Sequence, residues 1–152
     1  MPDPSTVFRT FVDAVGLHGQ AVAAAAGLPA TDWYALSVLD LEGRLTAGEL
    51  AERTGLTTGA ATRMIDRLVR GGRARRVADE ADRRRVLVER VSGEAARTEV
   101  DDLVGPARAA VGAVIAGYTE AERALLLDFF ERAAPAFREG TEHIRRAGKA
   151  PS

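Results

Sequence analysis

The stretch from Arg73 to Arg90, RARRVADEADRRRVLVER, constrains the fold more than any other part of the chain. Two short extended runs, Arg76-Val77-Ala78 and Val86-Leu87-Val88, flank a charged tip from Asp79 to Arg85. Extended runs on either side of a polar tip predict a β-hairpin. The tip carries three consecutive arginines, Arg83, Arg84 and Arg85. Immediately upstream lies a segment with the spacing of an amphipathic helix, Ala61, Met64, Ile65 and Leu68 on one face and Arg63, Arg67 and Arg70 on the opposite one.

The net charge of −1 conceals this arrangement. Between Arg63 and Arg90 ten arginines stand against five acids, a surplus of +5, and the rest of the chain carries −6. Such asymmetry points to one polyanionic partner met by one region. A basic helix followed by a basic hairpin suits double-stranded DNA, with the helix in the major groove and the hairpin on the neighbouring backbone or minor groove. The same charges also suit a solvated helix face beside a charged hairpin.

The expected class is mostly α with a small β-hairpin wing. A first helix spans about residues 5–26, with Phe8, Phe11, Val12 and Val15 at helical spacing, and Gly27-Leu28-Pro29 breaks it. A second spans about 30–41, turning Trp33, Leu36, Leu39 and Tyr34 inward. Thr46-Ala47-Gly48-Glu49 matches a capping box, opening a short helix that Gly55 stops. Thr57 is the expected N-cap of a fourth helix reaching Arg70 and ending at Gly71-Gly72. These two helices form a helix-turn-helix. Beyond the hairpin, Ser92 is the expected cap of a long helix to about Gly117 with Pro106 inside it. Thr119 to Glu122 form a second capping box for a last helix to about Arg146, with Leu125, Leu126, Phe129, Phe130, Ala133 and Phe137 on its apolar side. A frayed tail follows over 148–152.

Nearly the whole chain, most densely the segment from Thr46 to Glu94, resembles the MarR family of bacterial transcription regulators. Asp66, Leu68, Gly72, Arg76, Asp82-Arg83-Arg84 and Ser92-Gly93 occupy the places of that family's pattern. The resemblance implies a triangular homodimer. Residues 1–28 and 92–147 would supply the helical dimerisation region, and residues 29–91 the winged helix-turn-helix that grips a pseudo-palindromic operator. The apolar terminal helices agree with this, since Phe8, Phe11, Leu125, Leu126, Phe129, Phe130 and Phe137 exceed what a thin winged domain covers. Packing within the monomer is the alternative.

Residues near the start of a recognition helix reach base edges best. Here they are Thr57, Thr58, Gly59, Ala60, Thr62 and Arg63. Thr57 and Thr58 suit phosphate contact, although Thr57 also suits a purely structural cap. Arg63 suits bidentate pairing with guanine, and Ala60 a thymine methyl. Arg67 and Arg70, further along, suit phosphates. The resemblance puts Arg84 in the minor groove with Asp82 bracing the tip, and Arg83 and Arg85 beside phosphates. Asp66 and Arg76 are expected to pair between the helix and the hairpin. Arg73 departs from the family, where an apolar residue is usual.

Many relatives bind small phenolic or other aromatic acids, which makes Leu17, His18, Trp33, Leu36 and Ser37 the candidate effector lining. Helical spacing favours a core role for Trp33 and Leu36, and a partly buried or surface position for His18. With no cysteine, thiol redox sensing and thiolate metal sites are excluded. No cofactor is expected. No nucleophile–base pairing, phosphate loop or metal-ligand spacing points to an enzyme. No apolar run approaches the ~20 residues that span a bilayer, and the N-terminus lacks a secretion pattern, so a cytoplasmic location is expected. The competing function is a winged-helix protein-interaction adaptor without DNA affinity, which the intact arginine wing disfavours.

Overall fold

The structure, a computed structural model, describes residues 3–91 and 94–148, with the backbone alone over 94–101. The expected cap Ser92, the Gly93 that follows it and the tail from Lys149 onward lie outside the described residues. The elements are α1 (Pro4–Ala25), α2 (Ala30–Glu42), β1 (Leu45–Thr46), α3 (Ala47–Thr54), α4 (Thr58–Arg70), β2 (Ala74–Ala78), β3 (Val86–Arg90), α5 (Glu94–Ala116) and α6 (Glu120–Ala147). The chain divides into two compact units, Met1–Gly105 and Pro106–Ser152, with the division inside α5.

Local chemistry sets most of the boundaries in the first unit. Asp3 caps α1 by accepting from the Thr6 amide at 3.1 Å, and Pro4 opens the helix where its missing N–H costs nothing. Gly27, at φ 65°, turns the chain into α2. Thr46 and Glu49 close the expected capping box on α3, with the Glu49 carboxylate accepting from the Thr46 amide at 2.7 Å. Gly55, at φ 69°, ends α3 in a left-handed conformation that a residue with a Cβ adopts only with strain.

The core of this unit joins α2, α3, α4 and the sheet. Leu36, Leu50, Met64, Ile65, Leu68 and Val88 are all essentially sealed from water. Each such side chain contributes about 1.5–3 kcal/mol by burial. A smaller cluster packs Val22 of α1 against Val104 of α5, with Trp33 and Leu103 partly buried beside them. Tyr34, expected inside, is 49% exposed; Ala35 and Val38 take the inward positions.

The wing is a three-stranded antiparallel sheet in the order β1-β3-β2. Its hairpin strands are longer than expected, starting at Ala74 and ending at Arg90. Ala74 pairs with Arg90 and Ala78 with Val86. The third strand, β1, was not expected: Leu45 pairs with Val88 and Thr46 with Leu87. Two residues are too few to show a period of two, and their extended state comes from pairing with β3.

In the second unit, Thr119 and Glu122 form the expected capping box of α6. The helix runs through Pro135, and none of its described residues is buried. Phe129 and Phe130 meet edge to face, their ring centres 5.6 Å apart.

The capping carboxylates give the fold a defined acid sensitivity. Glu49 and Glu122 are held below the ordinary glutamate range, first by the backbone amides of Thr46 and Thr119 and then by those threonines' hydroxyls. Glu89 is held down by the guanidinium of Arg75 and then by that of Arg44. A lowered folded value means a contribution complete above the unfolded value of about 4.3 and lost as pH falls through the folded values. The melting temperature should therefore fall below about pH 4.5. Glu49→Gln with Glu122→Gln, which keeps the caps but removes their titration, should flatten that decline in a calorimetric pH series; an unchanged decline would place the acid sensitivity elsewhere.

Candidate nucleic-acid interface

α4 presents its basic face because its other face is used up in the core. Ala61, Met64, Ile65 and Leu68 are buried, and Thr57, Thr58, Gly59, Thr62 and Arg63 are exposed at the helix start, with Ala60 half-buried. Thr57 caps the helix, its hydroxyl oxygen accepting from the Ala60 amide at 3.3 Å. That leaves the hydroxyl hydrogen available to an outside acceptor, so capping and phosphate contact do not compete. Thr62 instead donates its hydroxyl hydrogen to the Thr58 carbonyl at 2.9 Å. Arg63 leans toward the helix N-terminus, as helical side chains do: a Cβ built on Gly59 would lie 3.8 Å from its Nη1.

The remaining basic residues of α4 differ from Arg63. The Nε and Nη2 of Arg67 donate to the two carboxylate oxygens of Asp32 at 3.0 and 2.7 Å. Asp32, in the first turn of α2, is only 1% exposed. Arg67, expected as a plain phosphate holder, is thus first of all the partner of a buried carboxylate, and that hydrogen-bonded pairing raises its already high pKa. Arg70 turns its Nε back to the Asp66 carbonyl at 3.2 Å. Asp66 and Arg76 meet at 2.6 Å between α4 and β2, the pairing expected from the sequence.

The wing tip is braced from within. The Asp82 carboxylate accepts from the Arg84 amide at 3.0 Å, and the Arg85 amide donates to the Asp82 carbonyl at 2.9 Å. The Asp79 carboxylate accepts from the Ala81 amide. Arg85 differs from Arg83 and Arg84. Its guanidinium lies 3.6 Å from Glu49 and 3.8 Å from Asp79, tying the hairpin to α3 rather than projecting from the tip. Lower in the sheet, Glu89 accepts from both Arg75 and Arg44, and Arg90 pairs with Asp40. Arg73, the departure from the family pattern, donates to the Ala26 carbonyl at the end of α1 at 3.2 Å.

These pairings leave a short remainder. Among the described residues, the arginines of 44–90 without a protein acceptor are Arg63, Arg83 and Arg84. One stands at the start of the exposed helix and two at the hairpin tip.

The candidate effector residues do not share one environment. Leu36 is 1% exposed and belongs to the main core, so it does not line a cleft. Trp33 and Ser37 are half-buried, and Leu17 and His18 are exposed on α1. Asp32 escaped the sequence reading, although it shares the helical stripe of Ala35, Leu36 and Leu39; an acid on an apolar stripe was the available signal. Among the described residues no group of three or more histidines and acids is placed to hold a metal ion, and no single helix is long and apolar enough to cross a membrane.

Helix-turn-helix, wing and exposed arginines together define a winged-helix DNA-binding protein. The comparisons with known proteins give the family. The MarR family profile matches residues 26–85. An HTH-type transcriptional regulator of Bacillus subtilis (strain 168), YcgE, is 36% identical over 140 residues, covering 92% of this chain and 90% of the relative. The chain belongs to the MarR family of transcriptional regulators, and the fold recurs at lower identity in solved structures. A point mutant of MepR from a multidrug-resistant S. aureus clinical isolate matches at TM-score 0.71 and 14% identity, covering 90% of this chain and 98% of that one. NadR in complex with 4-hydroxyphenylacetate matches at TM-score 0.63 and 20% identity, covering 88% and 94%. Wild-type MarR from E. coli, in its apo form, matches at 0.57 and 23%, covering 88% and 97%.

Proposed function

We propose that this DNA-binding regulator works in the cytoplasm as a homodimeric repressor of a pseudo-palindromic operator. Residues 29–91 read the DNA, and residues 1–28 and 92–147 pair the two copies. The observation that carries the DNA-reading part is the acceptor-free set of Arg63, Arg83 and Arg84 among the described residues. In this reading Arg63 pairs with a guanine edge and Arg84 enters the minor groove. Arg83, Arg70, Thr57 and Thr58 hold phosphates, and Gly59, Ala60 and Thr62 permit close approach. Dimerisation is supported by the apolar exposure of α6, where Leu125 and Phe129, one turn apart on one face, and Phe130 and Phe137, two turns apart on the adjacent one, are 70%, 46%, 44% and 53% exposed. Contiguous apolar surface of that kind marks an association site.

Affinity for promoter DNA measured at several salt concentrations tests the reading. Each neutralised phosphate contributes a slope of about −0.9 in log K against log salt, so the expected slope is steep, and a near-flat one would favour the protein adaptor. The operator should hold two half-sites roughly 10 bp apart. Leu125→Glu should yield monomers in sedimentation analysis and lose operator affinity; a variant that remains dimeric would move the pairing face elsewhere.

Relief by a small aromatic acid belongs to the same proposal. NadR was solved with 4-hydroxyphenylacetate, and Leu17, His18, Trp33 and Ser37 are this chain's candidate lining. Calorimetric titration with phenolic acids tests it, and His18→Ala should weaken any binding found.

A further inference from the structure

The pairing of Arg67 with Asp32 has a second side. Arginine carries donors along two edges of a planar fork. Asp32 takes the edge made by Nε and one Nη2 hydrogen. The Nη1 edge and the outer Nη2 hydrogen have no acceptor among the described residues. The Arg67 side chain is 44% exposed, whereas Asp32 is 1% exposed. Arg67 also sits one turn beyond Arg63 on the exposed face of α4.

Asp32 is itself fixed. It lies in the first turn of α2, next to the core residues Ala35 and Leu36, and its Oδ1 also accepts from the Thr31 hydroxyl at 3.2 Å. A rigid carboxylate behind an arginine holds the guanidinium plane in one orientation and removes most of the rotamer freedom that an exposed arginine loses on binding. The open edge then matches two phosphate oxygens, a bidentate contact that a free side chain makes less readily.

We propose that Asp32 is a positioning residue for DNA binding, buttressing Arg67 so that its outward edge clamps a backbone phosphate of the duplex. The contact reads no sequence; it sets how deeply and at what angle α4 enters the groove. This rests on the DNA-binding reading and adds a residue in a different helix, remote from the groove, that tunes it.

The test separates folding from binding. Removing one partner alone strands the other, so the pair is replaced together by Asp32→Leu with Arg67→Met, an exchange that buried ion pairs commonly tolerate. This variant should stay folded by circular dichroism and lose roughly tenfold in affinity, equally on operator and random duplexes, with a salt slope shallower by up to about 0.9. Asp32→Asn, which keeps the shape, should weaken binding when Arg67 is present and have no further effect once Arg67 is methionine. A purely structural pair would move the melting temperature and leave both affinity and slope alone. Wild-type affinity in the folded double variant overturns the proposal, as does an Asp32→Asn effect of the same size in both backgrounds. A wild-type protein that ignores duplex DNA at low salt fails the functional reading itself, an outcome visible before any variant is compared.

Discussion

Arg84→Ala should weaken binding to an operator with A·T-rich flanks by roughly ten- to hundredfold while leaving the melting temperature unchanged. The side chain is exposed at the wing tip and has no protein acceptor among the described residues, so its removal costs the fold nothing. On the proposed reading it takes away an arginine that enters a narrow minor groove, where the negative potential is strongest. The turn that presents it stays intact, because the Asp82 carboxylate binds the backbone amide of residue 84 rather than its side chain. The loss should be smaller on G·C-flanked duplexes. Equal affinity of wild type and variant on every flank would remove the wing from recognition.

The opposite pattern is expected for Ile65→Ala. Ile65 is 0% exposed, on the buried face of α4 among Leu36, Met64 and Leu68. Truncation at such a site loses both the burial of the side chain and the contacts around the cavity left behind, about 2–5 kcal/mol. For a unit of this size each kcal/mol lowers the melting temperature by roughly 4–8 °C. DNA affinity measured on the remaining folded protein should change little, because Arg63 and the wing arginines are untouched. A melting temperature within a degree or two of wild type would mean that the core closes around the missing atoms.

The parts of this molecule legible in the sequence are those written in neighbouring residues. Thr46 with Glu49, Thr57, and Thr119 with Glu122 each satisfy amides within their own first turn, so these helix starts coincide with expectation. The Asp66–Arg76 pair was legible because a helix and the strand after it bring the two residues together across a short turn. What escaped depends on distant partners. Arg67 looked like a free cation because Asp32 lies 35 positions away, and Arg73 looked like an anomaly because the carbonyl it satisfies lies 47 positions away. Arg85 resembled its two neighbours in the triplet until the hairpin curled it back to Glu49 and Asp79. Spacing favours a core role for Leu36 over a cleft one, and the packing of α2 on α4 decides for the core.

Asp66 and Arg67 are consecutive on α4, yet they are anchored in different directions, one to the wing strand and the other to α2. Neighbouring positions on a helix project about 100° apart. Two oppositely charged tethers at that angle act as stays on a mast: a roll of the helix about its long axis in either sense stretches one of them. On the proposed DNA-reading role, the outward residues of α4 therefore hold their azimuth before any duplex arrives, and binding is spared the cost of selecting one orientation from many.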